Sequence, residues 1–97
     1  MTAQERIMQA LRTGENNSVS LLDMCRVSGL DNRSTRQTIE NLRRDGVVIC
    51  SSDNGYFYPA DISELQRYVR REKARSNSIE LTLKSAEKLL EEWGSSV

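Results

Sequence analysis

The chain has 97 residues, the size of one small domain, and its 14 basic and 14 acidic residues cancel. This neutral balance argues mildly against a nucleic-acid partner. The absence of histidine removes the usual general base and the commonest metal ligand, so we expect no enzyme, no metal and no cofactor. Cys25 and Cys50 are widely spaced, and no apolar run approaches the roughly 20 residues that span a bilayer, so we expect reduced thiols in a cytoplasmic protein without membrane contact.

Three short helices are predicted in the first half of the chain. Each begins at a residue whose side chain can cap a helix, namely Thr2 (with Glu5 completing a capping box), Ser20 and Asp31. Each is expected to end at a glycine, namely Gly14, Gly29 and Gly46.

The third predicted helix has an apolar side and a polar side. Ile39 and Leu42 are its apolar anchors, and Thr35 and Thr38 lie on the same side. The opposite side carries arginine, glutamine and asparagine residues and Glu40, so this helix is expected to present hydrogen-bonding groups to solvent. The alternative is a solvated face with ion pairs, such as Arg36 with Glu40 four residues later.

A β-hairpin is predicted after Gly46, where the hydrophobic period changes from helical to alternating. Residues 47–51 form the first predicted strand, residues 56–58 form the second, and Asn54-Gly55 is the pair favoured in two-residue turns. This turn pairs Asp53 with Tyr56, Ser52 with Phe57 and Ser51 with Tyr58. Pro59 ends the second strand because it has no N–H to donate.

The last third of the chain predicts one long helix, since no glycine or proline interrupts residues 61–93 and apolar residues recur there at heptad-like spacing. Such a helix extends about 50 Å, beyond a domain with a radius of gyration of about 13 Å, so its apolar seam would pair with a second copy of the chain. The expected dimer interface consists of Leu65, Val69, Ile79, Leu83, Ala86, Leu90 and Trp93. The alternative is a break near Ser76, after which the helix folds back on a monomer.

The order of helix, short helix, tight turn, third helix and hairpin resembles the winged helix-turn-helix superfamily. The resemblance lies in a helix that ends near Gly29-Leu30, a capped helix with an Ile39-x-x-Leu42 anchor, and the sequence Asp45-Gly46-Val47-Val48 that leads into the hairpin. With the first helix included, it extends over residues 1–60.

This resemblance implies that the helix within residues 31–46 enters the major groove of double-stranded DNA. Arginine can bond guanine bidentately there, and glutamine can bond adenine. The implied contacts are Asn32, Arg33, Ser34, Arg36, Gln37, Asn41, Arg43 and Arg44, the last two fitting the DNA backbone better than the bases. In the wing, Ser52 and Asn54 can donate to phosphate, but Asp53 and the lack of a basic residue depart from the family pattern and leave the wing's role open.

The zero net charge is the sum of unlike segments. Residues 67–75 carry a net charge of +4, residues 31–46 carry +1, and residues 80–92 carry −2. The basic segment is either a solvated helix face or a flank that contacts phosphate. We therefore expect DNA binding with few phosphate contacts and a shallow dependence on salt.

The predicted fold class is mainly α with a small β-hairpin: a winged helix-turn-helix domain over residues 1–60 and a long C-terminal dimerisation helix over residues 61–97. The leading hypothesis is sequence-specific binding of double-stranded DNA as a homodimer, by a transcriptional regulator of bacterial or phage type with no small-molecule ligand. The alternatives are a winged-helix module that binds protein and a phage accessory protein for DNA packaging or replication.

Overall fold

The computed structural model describes residues 1–75 and 80–94, and this part of the chain is mainly helical with a small antiparallel sheet, as predicted. The helices are α1 (Ala3–Ala10), α2 (Leu21–Ser28), α3 (Asn32–Arg44), α4 (Ile62–Arg75) and α5 (Glu80–Glu92). The strands are β1 (Cys50–Ser52) and β2 (Gly55–Phe57), and one turn of 3-10 helix covers Glu15–Asn17. Within the described residues, no helix combines the length and the apolar character needed to cross a membrane.

The predicted caps of the first three helices are confirmed. Thr2 and Glu5 form a reciprocal capping box, with N···O distances of 3.0 and 3.1 Å. The Ser20 hydroxyl accepts from the Asp23 N–H at 3.2 Å, and the Asp31 carboxylate accepts from the Ser34 N–H at 2.7 Å. The last bond holds the pKa of Asp31 below its ordinary value, because it stabilises the charged form of the carboxylate.

Helix α1 ends at Ala10 and not at Gly14, because the residues after it pair with the end of the hairpin. The Tyr58 N–H donates to the Arg12 carbonyl, and the Gly14 N–H donates to the Tyr58 carbonyl, both at 2.8 Å. Backbone groups engaged in this pairing cannot continue the helix. The second and third helices end as predicted, at Ser28 and Arg44, with Gly29 and Gly46 in positive-φ conformations just beyond them.

Strand β2 has backbone partners on both of its sides. On one side it pairs with β1 in the register Cys50–Phe57, Ser51–Tyr56 and Ser52–Gly55. On the other side Tyr56 exchanges two backbone hydrogen bonds of 2.8 and 2.9 Å with Val19, the residue before the cap of α2. The hairpin is thereby attached to the start of α2.

The predicted hairpin register is wrong by two positions, because Asp53-Asn54 forms the turn and Gly55 belongs to β2. Gly55 has a φ of +134°, and a Cβ atom built on it would lie 2.3 Å from the Val19 carbonyl oxygen. The glycine is therefore required for the close approach of two backbones. The first strand also begins later than predicted, at Cys50 instead of Val47.

The core consists of two hydrophobic clusters that meet at the hairpin. The first lies under α1, α2 and α3 and contains Ile7, Leu11, Met24, Ile39, Leu42 and Ile49. The second lies between the hairpin, α4 and α5 and contains Cys50, Phe57, Leu65, Tyr68, Val69 and Ala86. Burial raises the pKa of the Cys50 thiol to about 12, so this cysteine is a small apolar core residue.

The single long C-terminal helix is not observed, since α4 ends at Arg75 and α5 begins at Glu80 and packs back against α4 and α3. The Lys73 ammonium lies 3.4 Å from the Glu87 carboxylate. In one straight helix these two residues would be about 21 Å apart along the axis. The alternative arrangement, a helix that folds back on the domain, is the one present; the predicted break at Ser76 lies outside the described residues.

Most of the side chains expected at a dimer interface pack within a single chain. Leu65, Val69 and Ala86 are buried in the second cluster, and Leu90 packs against it. These four side chains therefore do not form an exposed seam, and the homodimer stays a prediction. Trp93 remains 39% exposed, whereas Ile79 and the side chain of Leu83 lie outside the described part.

Replacing Gly55 with alanine is expected to destabilise the protein by at least about 3 kcal/mol. The cost has two parts, the strain of a positive φ in alanine and the clash of its Cβ atom with the Val19 backbone. Gly29→Ala is the matched control, since Gly29 also has a positive φ of +76° but a Cβ atom added there would meet no neighbouring atom within 4 Å; it should cost about 1–2 kcal/mol. Urea unfolding measures both variants. Equal losses would contradict the close approach at Val19.

A zero-length carbodiimide is expected to join Lys73 to Glu87 within one chain, because their charged groups are in contact. Denaturing electrophoresis and mass spectrometry of the monomer band should identify the crosslinked peptides, and Glu87→Gln should abolish that product. A Lys73–Glu87 crosslink found only in a covalent dimer would show that α5 packs on another copy.

Candidate nucleic-acid interface

Helix α3 presents one exposed side, as predicted from its sequence. Thr35, Ile39 and Leu42 are buried against the first cluster. The exposed positions among the sequence-predicted contacts are Asn32, Arg33, Ser34, Arg36, Gln37, Asn41 and Arg44. Arg33, Gln37 and Arg44 lie along the middle of this side at spacings of four and seven residues, so they form a stripe along the helix axis.

A buried pair of hydroxyl groups holds α3 at a fixed position relative to α2. Ser28 Oγ lies 3.1 Å from Thr35 Oγ1, and it also accepts from the Leu30 N–H at 3.2 Å. Both residues are at least 95% buried, so removing the Ser28 hydroxyl would take a hydrogen-bond partner from the buried Thr35 hydroxyl. The role of Ser28 was missed in the sequence, where the only signal is a serine before a terminal glycine and a threonine seven residues later.

The first residue of α3 also contacts α2. The Cys25 thiol donates to Asn32 Oδ1 at 3.1 Å. Asn32 therefore keeps its Nδ2 donors for an external ligand, while its carbonyl oxygen is engaged by the thiol. Both cysteines are unpaired, and Cys25 is half-buried.

Arg43 does not lie on the exposed side of α3, which corrects its assignment to the DNA backbone. Its side chain is only 12% exposed. The Nε–H donates to the Ile49 carbonyl at 2.9 Å, and Nη1 lies 3.6 Å from the Glu40 carboxylate. The guanidinium carbon lies 5.9 Å from the centre of the Tyr56 ring and 5.4 Å from that of Tyr68. A side chain held in this way supports the fold and is not available to phosphate.

Two arginines close the outer edge of the hairpin. Since Tyr56 bonds to Val19 on its far side, the carbonyl of its partner Ser51 points away from β2, as does that of Ile49. Arg43 donates to the Ile49 carbonyl, and Arg71 donates to the Ser51 carbonyl at 2.6 Å. These bonds satisfy edge groups that would otherwise be open to another strand.

The basic segment over residues 67–75 is largely engaged within the protein. Arg67 pairs with Glu15 at 3.7 Å, Arg71 bonds to Ser51, and Lys73 pairs with Glu87. Arg70 is exposed on α4. The net charge of this segment therefore overstates what it offers to a polyanion.

The tip of the hairpin is neutral or acidic. The Asn54 N–H donates to the Ser52 hydroxyl at 3.2 Å. The turn consists of Asp53 and Asn54, and both side chains are exposed. Ser52 is half-buried and Asn54 is exposed, so Asn54 is the better placed of the two predicted wing contacts.

An open groove of about 820 Å³ separates α3 from the hairpin. Three carboxylates line it, those of Glu40, Asp53 and Glu72, together with the two arginines Arg36 and Arg43. Because Arg43 is already bonded within the protein, Arg36 is the arginine that remains exposed at this groove. The lining has a net charge of −1, and Glu40 is itself paired with Arg43, so this groove attracts an anion less than the outer side of α3 does.

Among the described residues, no group of three or more cysteines, aspartates and glutamates is arranged to hold a metal ion. Compared with protein-family models, with curated proteins and with solved structures, the chain matches none.

Replacing Arg43 with alanine is expected to lower the free energy of unfolding by about 2–4 kcal/mol, since a charge-assisted hydrogen bond and two ring contacts are lost. Arg43→Lys should recover only part of this loss, because an ammonium lacks the planar fork. The control is Arg44→Ala, an exposed neighbour that should change stability by less than about 0.5 kcal/mol. Equal effects of the two alanine variants in urea unfolding would overturn the assigned role of Arg43.

Proposed function

We propose that the protein binds double-stranded DNA and places the N-terminal half of α3 in the major groove. The observation that carries the proposal is the exposed side of α3: a helix fixed to the domain by its other side presents arginine, glutamine and asparagine side chains to solvent. The order α1, α2, α3, β1, β2, with Val19 adding a third short segment to the sheet, supports a winged helix-turn-helix arrangement.

The exposed residues suit base edges more than they suit phosphate. The major groove is about 12 Å wide and admits a helix, whose N-terminal residues meet the bases. Arg33 and Arg36 can each bond a guanine, and Gln37 can bond an adenine. Asn32 and Ser34 lie in the first turn of α3, where phosphate is favoured by the helix dipole, and Arg44 can contact the backbone at the far end.

The hairpin has a minor part in the proposed contact. Asn54 and Ser52 offer neutral donors to phosphate, but Asp53 stands between them and repels it. With few phosphate contacts, the affinity should depend only weakly on salt. Base-reading groups that outnumber phosphate-binding groups favour a sequence-specific protein, such as a regulator of transcription, over a non-specific packaging protein.

A second candidate function is binding of a basic protein segment. The observation that favours it is the groove between α3 and the hairpin, whose lining holds three carboxylates and two arginines and so has a net charge of −1. This partner would contact the side of α3 that faces the hairpin and would leave Arg33 uncovered. The two candidates therefore differ in the α3 residues they require.

Selection from random duplexes followed by fluorescence anisotropy tests the DNA proposal. We expect enrichment of a defined site, and Arg33→Ala should weaken binding to it by about 10- to 100-fold through loss of a base contact. Arg6→Ala is the matched control, an exposed arginine on α1 that should change the affinity less than twofold. Failure to retain any duplex at low salt would refute the proposal.

A further inference from the structure

The middle of the exposed side of α3 holds two amide side chains bonded to each other. Gln37 Nε2 donates to Asn41 Oδ1 at 3.0 Å, and both residues are exposed. They are four residues apart, the spacing at which helix side chains meet and at which a glutamine–asparagine bond stabilises a helix. The bond fixes which atoms of the Gln37 amide face outward.

From this bond, and resting on the proposed DNA function, we infer that Asn41 is a positioning residue that makes Gln37 select adenine and reject guanine. A glutamine amide has two N–H donors and one carbonyl acceptor. With one N–H held by Asn41, Gln37 retains one donor and one acceptor for a base.

The remaining pair of groups matches one purine and not the other. In the major groove adenine presents the N7 acceptor beside the N6 donor, so one donor and one acceptor satisfy it. Guanine presents two acceptors, N7 and O6, and would need both N–H groups of the amide. An unbound glutamine can turn its NH₂ group toward guanine, whereas Gln37 can do so only by breaking its bond to Asn41. Gln37 thus distinguishes adenine from guanine in two ways: it contacts adenine, and its bond to Asn41 opposes the orientation that guanine requires.

Asn41 acts here through Gln37. Its Oδ1 accepts from Gln37, while its own Nδ2 donors point the other way along the amide and are free of that bond. Replacement by aspartate keeps an acceptor at the same position, and replacement by alanine removes it. Both substitutions lie on the exposed side of α3, so they leave the buried side intact.

The experiment compares the base preferences of four proteins, each selected against the same pool of random duplexes. Gln37→Ala identifies the position that Gln37 contacts, as the one whose preference disappears. The wild type should prefer adenine over guanine there by about tenfold or more, and Asn41→Ala should reduce this ratio by about twofold, the factor that one glutamine–asparagine bond at this spacing supplies. Asn41→Asp should retain the ratio, although its added charge lowers the affinity for every duplex.

The outcomes separate this inference from the function on which it rests. If the wild type retains no duplex, the proposed function fails and the inference fails with it. If the wild type enriches a site but Gln37→Ala alters no position, or if Asn41→Ala keeps the full adenine preference, the inference alone is overturned. An unchanged urea midpoint in Asn41→Ala verifies that the loss of base preference does not reflect unfolding.

Discussion

The structure depends on the position of one guanidinium group, that of Arg43, at the junction of α3, the hairpin and α4. It bonds to the Ile49 carbonyl and lies within 6 Å of the ring centres of both Tyr56 and Tyr68. Tyr56 packs against the first hydrophobic cluster and Tyr68 belongs to the second, so the arginine joins the two halves of a small core. Burial raises the pKa of the Tyr68 phenol, so this ring stays neutral beside the cation even at a pH where an exposed tyrosine would ionise.

This junction determines what α3 can present. Because Arg43 turns inward and Arg71 bonds to the hairpin edge, two cations that would otherwise face a polyanion stabilise the fold. The exposed side of α3 is left with Arg33, Gln37 and Arg44 along its middle and with Asn41 beside Gln37. A neutral chain can therefore offer a surface suited to base edges while having little attraction for phosphate.

The sequence predicts features that depend on residues close together in the chain. The caps at Thr2, Ser20 and Asp31 each involve a partner three residues away, and all three are confirmed. The exposed side of α3 follows in the same way from its helical period. Such features can be predicted from sequence because they depend only on residues within one or two helical turns.

Features that depend on distant residues were predicted wrongly. Gly55 is required by the backbone of Val19, although Asn54-Gly55 has the composition of a turn. Arg43 lies on the edge of the polar side of α3, and its burial follows from tyrosines on β2 and α4. The heptad-like spacing after Asp61 is equally compatible with one helix paired to a second copy and with two helices paired to each other. Here Leu65 and Val69 of α4 and Ala86 of α5 are buried in one cluster within the chain.

The central claim is that the exposed side of α3 is the surface that binds DNA. A nuclear magnetic resonance titration of the labelled protein with its selected duplex tests this claim most directly, because each backbone amide reports separately. The account predicts that the largest saturable shifts fall on residues 32–41, with small shifts along α5. Large shifts confined to the hairpin residues 51–56 or to α5, or none with any duplex, would contradict it.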